Sequence, residues 1–311
     1  MNNSRIIYKV VRAYYEDRLT QQEIGNKYGI SRIKVSRLLS KALNDKIVEI
    51  KINTPAETNH SLEQQLENKY GLKEVVVVKT ESDNQNDVVA SIGQAGASYL
   101  LKILEGDESL GISWGRTILA LVNALHNSNL PNLKIIQMIG GLGYPEEELS
   151  GTELTRRMAN ALNATPKILN SPGIVATSTT CKALKSDPQV SSILKMAKKS
   201  SISLVGIGHF STELGSKKLN SILSEKDIET LREKGAVGDI SLRFFDKEGQ
   251  FIKDSINKRV VGLTIDELKN IPRRIAIAGG KHKLTTIKAA LKGELINILI
   301  TDKNTAIELM K

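Results

Sequence analysis

Four apolar runs, each broken or closed by glycine and each followed by a helical pattern, constrain this chain more than any other feature. They are SLGISWGRT (Ser109–Thr117), KIIQMIGGLG (Lys134–Gly143), SLVGIGHF (Ser203–Phe210) and RIAIAGGKHK (Arg274–Lys283); EVVVVK, from Glu74, is a further run. Apolar runs of strand length that alternate with helices build a mainly parallel α/β sheet with helices on both faces. In such sheets ligands bind outside the carboxyl ends of the strands, where these glycines must lie. AVGDISLRFFDKEGQFI (Ala236–Ile252) reads as a strand, a DKEG turn and a second strand.

A different pattern opens the chain. In LTQQEIGNKYGISRIKVSRLLSKA (Leu19–Ala42), Ile24 and Tyr28 share one helical face, and Val35 and Leu38 share another. Gly29 between them supplies the backbone freedom for one helix to end and another to leave steeply. Gly25 offers no side chain where crossing helices touch, and Ser31 stands at the N-cap of the second helix. This is the spacing of a helix-turn-helix. Ile7, Val10, Val11 and Tyr14 make a supporting helix upstream; DKIVEIKIN downstream reads as a short strand, a small wing. TPAETNH (Thr54–His60) reads as a polar linker.

Burying the apolar positions exposes Ser31, Arg32, Lys34, Ser36, Arg37 and Lys41 on the second helix. Hydroxyls and long cations there suit the major groove of double-stranded operator DNA. Thr20 and Gln21, opening the preceding helix, are placed to hold a phosphate. The formal charge is +10, and residues 1–60 carry 11 Lys+Arg against 6 Asp+Glu. That bias fits a polyanion partner or, more plainly, a solvated basic face. Since one such head reads few base pairs, a homo-oligomer, dimer or tetramer, is expected.

No apolar run approaches a membrane span, and MNNSRIIYKVV has no apolar stretch leading to a cleavage site. A cytoplasmic protein is expected. The single cysteine, Cys181, excludes an internal disulfide and a cysteine-rich metal site, and the four histidines have no metal-ligand spacing. Neither a Walker loop nor a dinucleotide fingerprint is present, so no cofactor is expected.

The glycine loops suit an anion, because backbone N–H groups approach it closely there; ordinary turn chemistry explains glycine after a strand equally well. Ser113, Arg116 and Thr117 add hydroxyls and a cation to one loop, and Lys281 adds a cation to another. Together they read as a pocket for a phosphorylated sugar or polyol. Gly206 and Gly208 form a third loop, with His209 after it either lining the pocket or on the surface. Asp239, after Gly238, suits sugar hydroxyls or a strand-end cap, and Trp114 either stacks on a sugar or fills core. An acid/base constellation for catalysis is thin, and no enzyme activity is expected. A phosphosugar isomerase or deaminase with a DNA tether remains the alternative, and a constitutive DNA-binding protein with a degenerate pocket a third.

YYEDRLTQQEIGNKYGISRIKVSRLLSKALNDKIVEIKI, with GISWGRT, GAVGDI and AGGKHK in this order, resembles the SorC family of bacterial sugar-responsive transcriptional regulators. The resemblance implies a DNA-binding domain, residues 1–55, with a helix-turn-helix of winged-helix type. It also implies an oligomerising effector domain, residues 56–311, similar in fold to phosphosugar isomerases. The effector loops carry over to Gly111–Thr117, including Gly115, and to Gly140 and Gly141. Asp239 carries over as the acidic contact and Lys281 as the late basic residue. Some members have a lysine before the double glycine that forms an imine with an aldehyde sugar. Ile139 stands there, so non-covalent effector binding is expected.

Overall fold

A computed structural model of the chain describes residues 3–49, 59–141, 150–210 and 222–311. They form two compact units, Met1–Thr58 and Asn59–Lys311.

In the first unit α1 (Asn3–Tyr15), α2 (Gln21–Tyr28) and α3 (Arg32–Asn44) close around Ile7, Val10, Ala13, Ile24, Val35, Leu38, Leu39 and Ala42. The turn between α2 and α3 depends on two glycines. Gly29 has φ +67° and its N–H returns to the Gly25 carbonyl, ending α2 in the left-handed region. A Cβ on Gly25 would stand 2.7 Å from the Ile30 carbonyl oxygen, so only glycine lets α3 leave so closely. Ser31 then caps α3, its hydroxyl accepting the Lys34 N–H at 3.2 Å. The expected strand after α3 does not start on schedule. The N–H groups of Ile47 and Val48 both return to the Ala42 carbonyl, so residues 45–48 are turn and bend. The remainder of that stretch, and Thr54–Thr58 of the linker, lie outside the described residues.

The second unit begins with α4 (His60–Tyr70), β1 (Glu74–Val78), α5 (Gln85–Ile103), β2 (Ser109–Ile112), α6 (Arg116–Ala124) and β3 (Lys134–Gln137). It continues with α7 (Gly151–Ala161), β4 (Thr165–Lys167), α8 (Ser178–Ser186), α9 (Pro188–Lys198), β5 (Ile202–Gly206) and β6 (Gly208–His209). Then come β7 (Ala236–Ile240), β8 (Arg243–Asp246), β9 (Arg273–Ile277) and β10 (Ile298–Asp302). Seven strands pair in parallel in the order β1-β10-β9-β5-β2-β3-β4. Residues alternate between faces along each strand. Ile275, Ile277, Ile298 and Ile300 join α5, α6 and α7 in one core; Ala276 and Leu299 join α4 and α9 in the other.

The order has one switch point. From β2 the chain moves outward to β3 and β4, then returns to β5 on the other flank of β2 and proceeds to β9 and β10. The loops after β2 and β5 therefore leave in opposite directions and open a crevice between them.

Beside this sheet β6, β7 and β8 form a three-stranded antiparallel sheet. The stretch from Ala236 contains an additional turn: Ser241 and Leu242, at φ +54° and +59°, fold β8 back on β7 before the DKEG turn is reached. Asp239 drives this, its carboxylate accepting the Leu242 N–H at 2.9 Å.

Candidate functional site

A cleft of about 100 Å³ opens at the switch point. The loop after β2 contributes Trp114, Gly115, Arg116 and Thr117, and the loop after β5 contributes Gly206, Ile207 and Gly208. Gln85 and Val89 of α5, Asp239, Ser241 and Lys283 complete the wall.

Part of the wall has the chemistry that suits an anion. Gly115 has φ +137° with open space around its missing side chain. As N-cap of α6 it leaves the first N–H groups of that helix without a side-chain cap; the first intrahelical bond is Leu119 to the Gly115 carbonyl. Such N–H groups carry the positive end of the helix dipole. Arg116 is exposed beside them. Lys283 donates to the Ile207 carbonyl at 2.8 Å, and burial, with Arg116 nearby, pushes its pKa down to about 8.

Other groups of the same wall accept and donate hydrogen bonds. Burial raises the Asp239 pKa to about 6, against the pull of the Leu242 N–H and Lys283. The Ser241 hydroxyl is buried with no hydrogen-bond partner among the described residues. Gly208 makes room for the carboxylate, since a Cβ there would fall on Asp239 Oδ1. Trp114 both lines the cleft and packs against buried cores on either side.

Several expected residues stand elsewhere, each for a stated reason. Lys281 opens the 3-10 turn Lys281–Lys283; its side chain is 72% exposed and paired with Asp83 at 2.9 Å, so Lys283, two residues on, is the cleft's lysine. The Gly279–Gly280 loop is closed from within: the Gly280 N–H donates to Asp302 at 2.8 Å. Gly140 and Gly141 donate to the Val261 and Ser171 carbonyls, leaving no N–H for a ligand. Gly111 lies within β2, where a Cβ would meet the Met138 sulfur at 2.5 Å. Ser113 is buried with its N–H on the Leu204 carbonyl, and Gly238 packs against Thr286. These five positions shape the fold around the cleft and do not line it. His209 bonds Thr286 at 3.1 Å and stacks edge-on with His282; burial lowers the pKa of both.

Gln85, Val89, Ser241 and Lys283 were not selected from sequence. Lys283 shares a KHK triplet with Lys281, and only the turn distinguishes them. Ser241 hides inside what reads as a continuous strand.

In the first unit, Arg32, Thr20 and Gln21 line one open groove with Tyr14, Arg18, Leu19 and Gln22. Thr20 is fully engaged: its hydroxyl accepts the Glu23 N–H at 3.3 Å and donates to the Glu23 carboxylate at 2.8 Å. The N–H groups left at that helix start are those of Gln21 and Gln22, ahead of the first intrahelical bond from Ile24. Ser31, Arg32, Lys34, Ser36, Arg37 and Lys41 are all exposed.

A family described as "Putative sugar-binding domain" matches residues 54–311, and sigma-70 region 4 matches residues 8–45. The full-length sorbitol operon regulator SorC from Klebsiella pneumoniae has this fold with TM-score 0.77, at 29% identity and 100% coverage of both chains. The chain belongs to the SorC family of sugar-binding transcriptional regulators. Two relatives extend the likeness within the SorC family. The deoxyribonucleoside regulator of Bacillus subtilis (strain 168) is 30% identical over 298 residues, 96% of this chain and 95% of that protein. The transcriptional regulator LsrR of Escherichia coli O139:H28 is 31% identical over 310 residues, 98% of this chain and 94% of its own. This SorC-family protein is a transcriptional regulator that joins a helix-turn-helix DNA-binding region to a sugar-binding domain. No helix among the described residues is long and apolar enough to cross a membrane.

Proposed function

We propose that the cleft at the switch point binds a phosphorylated sugar or polyol non-covalently, and that its occupancy changes operator binding by the head. Residues 1–55 serve as the DNA-binding domain and residues 56–311 as the effector and oligomerisation domain of a cytoplasmic dimer or tetramer. One observation carries the reading. The uncapped start of α6, with Arg116 and Lys283, faces the same cleft as Asp239 and the unpartnered Ser241 hydroxyl. The first set suits a phosphate and the second suits sugar hydroxyls. A ligand shifts the DNA-binding state only by binding two states unequally, so closure of loops from different strands around it supplies the coupling.

The test is a thermal-shift panel of hexose, pentose and polyol phosphates, with sorbitol phosphate and deoxyribonucleosides included because of the relatives' names. Hits go to gel-shift titrations on an operator selected from random duplexes. A hit that stabilises the protein without moving the gel-shift midpoint refutes the coupling.

An enzyme reading draws support from a carboxylate near pH 6 beside a lysine near pH 8 in one cleft, a pairing suited to acid–base chemistry. We favour the regulator without turnover. Incubation with the same phosphates decides between them, since turnover of any panel member favours the enzyme.

A further inference from the structure

The exposed face of α3 has an apolar centre. Ile33 is 67% exposed, more than any other large hydrophobic side chain among the described residues. Residues at i, i+3, i+4 and i+7 share a helical stripe, which places Ile33 with Ser36, Arg37 and Ser40. That stripe points away from Val35, Leu38, Leu39 and Ala42, the positions α3 buries. Packing within the head does not require Ile33, because the three-helix core is filled without it. Helix propensity does not favour it either, as a β-branched residue in a first turn. Such a side chain gains only where something covers it.

We infer that Ile33 is a specificity-determining residue whose partner is the C5-methyl group of a thymine in the major groove. The inference rests on the reading of α3 as the DNA-reading helix. Thymine alone among the four bases presents an apolar group there. The surroundings select DNA over a second copy of the head: Arg32, Lys34 and Arg37 ring Ile33, and two such faces repel each other, whereas phosphates attract them. The stripe also sorts the cations. Arg37, one turn from Ile33, faces bases with it. Arg32 lines the groove with Gln21 and faces the backbone.

The test uses the full-length protein and a randomised 30-base-pair duplex library. Selected sites are then rebuilt with each thymine replaced by deoxyuridine, which lacks only the methyl group. Loss of one buried methyl predicts about a three- to fivefold weakening at one thymine per half-site. Ile33→Ala, a change that favours the helix, should bind the thymine and deoxyuridine duplexes alike while keeping the parent's salt dependence. If no thymine discriminates, or Ile33→Ala keeps the parent's discrimination, the assignment of Ile33 is overturned. If Ile33→Ala instead loses self-association with its thymine preference intact, Ile33 contacts a second copy and the proposal also fails. A parent that enriches no duplex at all refutes the DNA reading itself, a result distinct from either.

Discussion

Replacing Lys283 with methionine exposes what the cleft costs the fold. Lys283 titrates at about 8 against 10.5 for an ordinary lysine, chiefly because burial disfavours its ammonium. A depressed base binds its proton more tightly in the unfolded chain. The cost is therefore fully present below pH 8 and fades as pH rises towards 10.5. The whole offset is worth about 3 kcal/mol, at about 1.4 kcal/mol per pH unit. Between pH 7 and 9 the folded protein releases most of this proton while the unfolded chain retains it. The parent thus gains about 1.4 kcal/mol across that window that Lys283→Met lacks. In the parent the other cleft groups are quiet there. Asp239, at about 6, is already ionised, while His209 and His282, held below the usual histidine range, are already neutral. In the variant, loss of the pull of Lys283 raises Asp239 further, which widens the gap in the same direction. At pH 7 the variant loses one hydrogen bond to Ile207, worth about 1 kcal/mol, and sheds the larger burial cost, so it should match or exceed the parent in stability. Trp114 is the single tryptophan and lines the cleft, so urea unfolding followed by its fluorescence at pH 7, 8 and 9 reports on this unit. A parent–variant gap that stays flat across the three pH values refutes the assignment of Lys283 as the buried cation.

The effector response separates the two neighbouring lysines: Lys283→Met should lose it and Lys281→Ala keep it, read by gel shift with the identified sugar phosphate. Gly208→Ala should push the Asp239 carboxylate aside and weaken the effector roughly tenfold or more by calorimetry, leaving effector-free operator affinity unchanged. Arg37→Ala should cost about 1–3 kcal/mol of operator binding and relax one base position, whereas Arg32→Ala should mainly lower the salt slope by about one. Light scattering should give a dimer or tetramer; a monomer both free and on DNA refutes the two-headed reading.

The fold was legible because its signals are redundant. β2, β3 and β9 each announce themselves by an apolar run, a glycine and a following helix, and β5 by its run and glycines although the strand β6 follows it, so one misread residue changes nothing. The turn between α2 and α3 was equally plain, since Gly25, Gly29 and Ser31 each have one backbone task that few other residues perform. The start of the strand expected after α3 was not, because a strand-like pattern in Ile47 and Val48 competes with their N–H groups closing the end of α3; the rest of that stretch lies outside the described residues.

The cleft was legible as loops and illegible as side chains, and one physical cause accounts for both. A glycine after a strand signals that backbone approaches something, without saying what. At Gly140 and Gly141 the approach is to the Ser171–Pro172 backbone; at Gly280 the N–H goes to Asp302; among the described residues only Gly115, Gly206 and Gly208 face the cleft. The lysine depends on a finer point still. Gly280, at φ +95°, starts a 3-10 turn in which Lys281 reaches outward to Asp83 and Lys283 reaches inward to the Ile207 carbonyl. Two residues of the same type, two positions apart, thus differ by an exposed ion pair and a buried cation. Asp239 shows the opposite case. Its neighbours Gly208 and Gly238 are both small for packing reasons, and the carboxylate fills the space left by Gly208, so Asp239 lines the cleft although Gly238 beside it does not.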